Sequence, residues 1–141
     1  MSVAANASFV LFPLGARRFA VPAEQVTELA RTDTMQVFPH TTPWVAGVLV
    51  RRGQIIPVCD IAQALVGFNV PPRRFYLLAK RRFDGSEETT AIPVTGDCEL
   101  VTADLLPSSG KVSHHVVGLL AFQNEVVEVL DLEKVLSEEV Q

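Results

Sequence analysis

Residues 47–65, GVLVRRGQIIPVCDIAQAL, return seventy-one positions later as GLLAFQNEVVEVLDLEKVL at residues 118–136, without a gap. Gly47 and Gly118, Leu49 and Leu120, Val58 and Val129, Asp60 and Asp131, and Leu65 and Leu136 coincide, with apolar residues matched at most other places. A chain of 141 residues has the length of one ordinary domain, so an ungapped repeat of this kind predicts a single domain over 1–141 built from two small, closely joined units of one design.

Each copy reads as strand, tight turn, strand and capped short helix. In the first, strands at 45–50 and 55–59 flank the turn Arg51-Arg52-Gly53-Gln54, and a helix starts from Ile61. Asp60 stands at the N-cap, with Gln63 at the capping-box position and Ile61, Ala64 and Leu65 on one helical face. Asp131 repeats the cap, and Leu132, Val135 and Leu136 repeat the face. Gly53, or Asn124 opposite it, is the residue such a turn wants for its positive φ, whereas nothing in the turn calls for Arg52. The turn is also where the copies diverge, from RRGQ to FQNE, so the charge changes while the scaffold is held constant.

The rest of the chain is strand-like and punctuated. FVLFPL and RRFAVP flank Gly15-Ala16 as a hairpin, and AEQVTELA passes from a turn of helix at 23–26 into a strand. FPHTTPW, with Pro39 and Pro43, is a loop. RRFYLLAKRRF reads as a strand, DGSEETT as a charged hairpin loop, and AIPV and CELV as short strands, with Pro93 interrupting the run TAIPVTGDCELV; the polar LLPSSGKVSHH follows. Short strands, frequent turns and few helices predict an all-β architecture closed into barrels, because closure removes exposed edges. Two such barrels, each too small to stand alone, would share an apolar interface.

Composition excludes several classes. The 48% hydrophobic and 20% charged content is that of a globular protein, and a net charge of −4 opposes general nucleic-acid binding. No apolar run reaches the roughly 18 residues of a membrane span and the N-terminus carries no export leader, which predicts a soluble, cytoplasmic chain without membrane insertion. Cys59 and Cys98 form neither a C-x-x-C pair nor a disulfide framework, and read as core thiols in a reducing compartment.

Candidate chemistry is thin. His114 and His115, adjacent on a strand, point to opposite faces and make a poor metal pair. Cys59 as a nucleophile is opposed by Asp60, already a cap, and by Leu130 at the equivalent place in the repeat. The run from Arg73 to Arg82 with Phe75 and Tyr76 suggests a base-stacking strand, weighed against an apolar strand with flanking arginines that the acidic total favours. No phosphate loop or carboxylate pair is present, so neither catalysis nor a cofactor is expected.

The motifs FPLGARRFAVPAEQVTEL, PWVAGVLVRRGQIIPVCDIAQALVG and GLLAFQNEVVEVLDLEKVL together resemble the CheW-like domain family over about residues 9–136. The family occurs as the stand-alone chemotaxis coupling protein and as the regulatory domain of the histidine kinase CheA. The resemblance implies two SH3-like five-stranded β-barrels packed together, with short helices, no enzymatic activity and no cofactor. It implies a scaffold or adaptor that couples the cytoplasmic tip of methyl-accepting chemoreceptors to the regulatory domain of CheA, or, as the alternative, the same adaptor in a pilus-driven or other non-flagellar pathway. By motif, Arg52 and Gly53 fall on the family's Arg-Gly turn, Val26 and Glu28 on its V-x-E segment, and Gly47 on the glycine that opens the core strand. These five are the candidate partner-binding residues. Glu28 and Arg52 are also opposite charges that a barrel can bring together, and Val26 can serve the core.

Overall fold

The structure, a computed structural model, describes residues 4–31, 36, 45–67, 75–83, 85–107 and 115–140. The predicted loop at 38–44, His114 and the side chain of Gln63 lie outside the described residues. In chain order the elements are β1 (Ala4–Leu14), β2 (Arg17–Pro22), a 3-10 turn (Ala23–Gln25), β3 (Val26–Arg31), β4 (Val45–Arg51), β5 (Gln54–Cys59), α1 (Ala62–Val66), β6 (Phe75–Phe83), β7 (Ser86–Val94), β8 (Glu99–Leu105), β9 (Val116–Phe122), β10 (Glu125–Leu130) and α2 (Leu132–Val140).

Two five-stranded sheets form, ordered β3-β6-β7-β5-β4 in the first barrel and β8-β1-β2-β10-β9 in the second. The all-β expectation therefore holds. The first barrel is continuous in sequence, whereas the N-terminal hairpin β1–β2 completes the second by pairing with β8 and, in parallel, with β10.

Each sheet is closed by the same device, an isolated bridge between one edge strand, β4 or β9, and a residue that follows the other edge strand in sequence. Gln36 and Val48 exchange backbone hydrogen bonds of 2.9 and 2.8 Å, and Leu106 and Leu119 exchange bonds of 2.8 Å in both directions. Val48 and Leu119 are equivalent in the repeat, so the closure is repeated with the strands.

Strand alternation sorts the core into three layers. Phe9, Leu11 and Ala20 fill the second barrel with Leu120, Val127 and Val129, while Tyr76, Leu78 and Ala91 fill the first with Leu49, Ile56 and Val58. The intervening residues, including Phe12, Phe19, Leu77, Ile92, Leu130 and Leu132, form the largest cluster, between the barrels. Polar latches reinforce this interface: Gln25 accepts the Leu132 N–H at the start of α2 (3.2 Å), and Arg17 donates to the Leu65 carbonyl at the end of α1 (3.2 Å).

One expectation needs correction. DGSEETT is not a loop: β7 begins at Ser86, with Phe83 paired to Ser86 and Gly85 at φ +79° in the turn. The backbone register runs unbroken from Phe83–Ser86 to Lys80–Thr89 and beyond, and Lys80 forms an ion pair with Glu87 at 3.9 Å, so the hairpin extends through a stretch that polarity alone reads as loop. AIPV is a strand as expected, with Pro93 inside it. The proline sits one residue from the end of β7 opposite Tyr76, as Pro22 sits opposite Phe9 at the end of β2, where a proline costs least. Ala20-Val21-Pro22 and Ala91-Ile92-Pro93 are thus a further part of the repeat, at the same spacing of seventy-one.

Candidate functional site

The β4–β5 hairpin tip is shaped by its two central residues. Arg52 and Gly53 have φ of +53° and +76°, and Gln123 and Asn124 in the second barrel have +49° and +65°. Positive φ at both places is the signature of the type I′ turn that matches strand twist. The left-handed backbone is therefore needed at Arg52 as well as at Gly53, although only the latter was legible as such.

Glu28 lies on β3 and points into the mouth of the first barrel, opposite Leu78 in register. One oxygen, Oε2, accepts the Arg51 Nε–H at 2.9 Å and a second, very short hydrogen bond from Arg51 Nη2. Arg52 Nη2 lies 3.6 Å from the same oxygen. The Glu28 side chain keeps 23% of its surface exposed, whereas Arg52 keeps 79%. The Arg51 hydrogen bonds hold the Glu28 carboxyl below the usual range, opposed by partial burial and helped by the charges of Arg51 and Arg52. Reciprocally, Glu28 pushes the Arg51 guanidinium up.

The fold thus brings Glu28, Arg52 and Gly53 together and adds Arg51, which the sequence places in the turn without marking it as a binding residue. Alternation on β4 places Gly47, Leu49 and Arg51 on one face, so Arg51 turns inward where Arg52 turns out. Val50 and Ile55, opposite each other in register, lie beside the tip and are 60% and 70% exposed. The second barrel keeps only part of this arrangement. Glu99 occupies the place of Glu28, opposite Leu11, while Phe122 and Gln123 replace the arginines. Arg18, from β2, lies 5.8 Å over the Phe122 ring and 3.5 Å from Glu125.

Gly47 and Val26 stand apart from the tip. Gly47 is four residues back along β4, about 13 Å at strand rise, beside a register shift between Val45 and Gly47. Gly118 adjoins the matching shift, and a Cβ there would come within 2.5 Å of Leu105 Cδ1 and 2.6 Å of the Leu106 carbonyl oxygen. The repeated glycine adjoins a bulge in both barrels, and at Gly118 the chain at Leu105-Leu106 crosses close over it. Val26 packs against the cluster between the barrels.

The residues weighed for other chemistry are placed as follows. Cys59 is buried in the inter-barrel cluster, and the half-buried Cys98 thiol is pushed up to about 11 by burial and then by Asp97, away from the range of a nucleophile. Tyr76, 4% exposed inside the first barrel, offers no face to a base, and Phe75 is covered by Arg31 at 4.8 Å. No group of metal-ligating side chains is found among the described residues, and no helix there is long and apolar enough to cross a membrane.

Comparison with known proteins agrees with this architecture. The family profile described as the CheW-like domain matches residues 8–140. Over 139 residues the chain is 26% identical to Protein FrzA of Myxococcus xanthus, covering 91% of this chain and 84% of that protein. It is 21% identical over 134 residues to the probable chemotaxis protein CheW of Rhizobium etli, covering 92% and 86%. The solved structure of the scaffolding protein TtCheW from Thermoanaerobacter tengcongensis superposes with a TM-score of 0.77 at 17% identity, covering 92% of this chain and 87% of that one.

Proposed function

The chain belongs to the CheW-like domain family, and from that premise we propose that it is a cytoplasmic adaptor that couples the cytoplasmic tip of methyl-accepting chemoreceptors to the regulatory domain of a CheA histidine kinase. It does so by shape and a few surface residues, without catalysis. What supports this reading is the asymmetry of the two barrels: one scaffold is used twice, and the first copy alone carries the Arg51-Arg52-Gly53 tip at which the family's motif residues Arg52, Gly53 and Glu28 converge. Val26 and Gly47 support the surface from the core strands rather than from the tip.

The kinase and receptor contacts need two surfaces, and two differently decorated barrels supply them. The same adaptor in a pilus or other non-flagellar pathway is the second reading. Co-elution of the purified chain with the kinase regulatory domain and a receptor tip segment from the same organism tests the proposal. A ternary complex is expected; elution of all three separately would sink it. Complexes with the components of only one chemosensory gene cluster would decide between the two pathways.

A further inference from the structure

The first barrel's tip holds three charges that are unequally shared. Arg51 gives two hydrogen bonds to Glu28 Oε2, while Arg52 stays 3.6 Å from that oxygen with most of its surface in solvent. Among the described residues one carboxylate at the tip faces two guanidinium groups, which leaves one surplus positive charge there, and geometry assigns it to Arg52. Beside it lies the exposed pair Val50 and Ile55. The second barrel has Ala121 and Val126 at those places and Phe122 and Gln123 at the tip, an apolar surface without the surplus cation.

We infer that Arg51 is a positioning residue: by taking the hydrogen bonds of Glu28 it keeps Arg52 a looser, 3.6 Å neighbour of that carboxylate, mostly exposed and able to meet a carboxylate on a protein partner whose apolar side chains cover Val50 and Ile55. The identity of that partner rests on the adaptor reading; the division of roles between the arginines does not. Without Arg51, Arg52 is the cation already tethered beside Glu28 and closes on it, since an intramolecular carboxylate outcompetes a dilute one. The tip then presents no net charge. The partner segment that fits is acidic and apolar, and a basic one is rejected by like charge.

Three variants test this: Arg51→Leu, Arg52→Leu and the double variant Glu28→Gln/Arg51→Leu, each checked for its fold by circular dichroism. The first readout needs no partner. By NMR, the Arg52 Nε–H should exchange fast with water in the natural chain, several-fold more slowly in Arg51→Leu, and fast again in the double variant. Unchanged exchange in Arg51→Leu overturns the inference. The second readout is titration with the kinase regulatory domain and a receptor tip segment. The natural chain and the double variant should bind alike, with Arg51→Leu and Arg52→Leu roughly tenfold weaker, and the Arg52→Leu deficit should shrink at high salt. Natural affinity in Arg51→Leu, or no recovery in the double variant, overturns the inference and leaves the adaptor reading standing. If the natural chain binds neither probe, the adaptor reading falls, and the exchange readout alone decides the role of Arg51.

Discussion

Glu28 and Arg51 stand on β3 and β4, the two edge strands of the first barrel's sheet, and one carboxylate oxygen of Glu28 receives two N–H groups of Arg51 across that gap. The pair therefore closes a barrel mouth as well as ordering the tip. A partly exposed, doubly hydrogen-bonded ion pair contributes about 1 kcal/mol. Glu28→Gln should lose that much in urea unfolding at pH 7. Because the folded carboxyl is held low, this stabilisation is complete above the unfolded value of about 4.3 and is lost as pH falls below it through the folded value. The difference between the two proteins should thus shrink as pH falls through the folded value; a difference that stays constant on acidification would show that the charge is irrelevant.

At Gly118, a Cβ would strike the Leu105 side chain and the Leu106 carbonyl that closes the second barrel. Gly118→Ala should cost about 2 kcal/mol or more, since a backbone contact cannot move aside as a flexible side chain can. Gly47→Ala, at the matching bulge, should destabilise in the same direction. Thermal melts decide it, and an unshifted melting temperature for Gly118→Ala would contradict the bulge-and-crossing account of the repeated glycine.

Thr90 is fully buried at the place where the other barrel has Phe19, and its hydroxyl has no hydrogen-bond partner among the described residues. Replacing that hydroxyl by a methyl removes an unmet polar group at nearly constant shape. Thr90→Val should stabilise by about 1 kcal/mol in urea unfolding. A loss of stability would mean that the hydroxyl is satisfied in solution.

The largest apolar cluster lies between the barrels, and β1–β2 joins the C-terminal strands across the whole chain. We expect residues 1–141 to unfold as one unit, with calorimetric and van't Hoff enthalpies equal. Two resolved transitions would instead make the barrels independent domains.

Much of this was legible because the repeat reports local structure twice. The tight turn and both N-caps were readable as patterns, and Asp60 and Asp131 do accept the Ala62 and Glu133 N–H groups at 3.0 Å. What escaped was non-local. No spacing rule links Glu28 to Arg51, which meet only because β3 and β4 are the two edges of a closing sheet. Gln25 caps a helix more than a hundred residues away for the same kind of reason. The charged strand at 86–90 reads as a loop by composition because its stability comes from the opposing strand. The assignment of β1–β2 to the second barrel likewise depends on long-range pairing.

The central claim is that this fold is a two-faced adaptor whose first barrel engages a partner through Arg52. Calorimetric titration of a kinase regulatory domain from the same organism into the natural chain and into Arg52→Glu tests it most directly, with melting temperatures measured alongside. The account predicts a saturable complex for the natural chain and at least tenfold weaker binding for Arg52→Glu, with the fold intact. Equal binding by both proteins would contradict the role of Arg52, and no binding by either would contradict the coupling to the kinase.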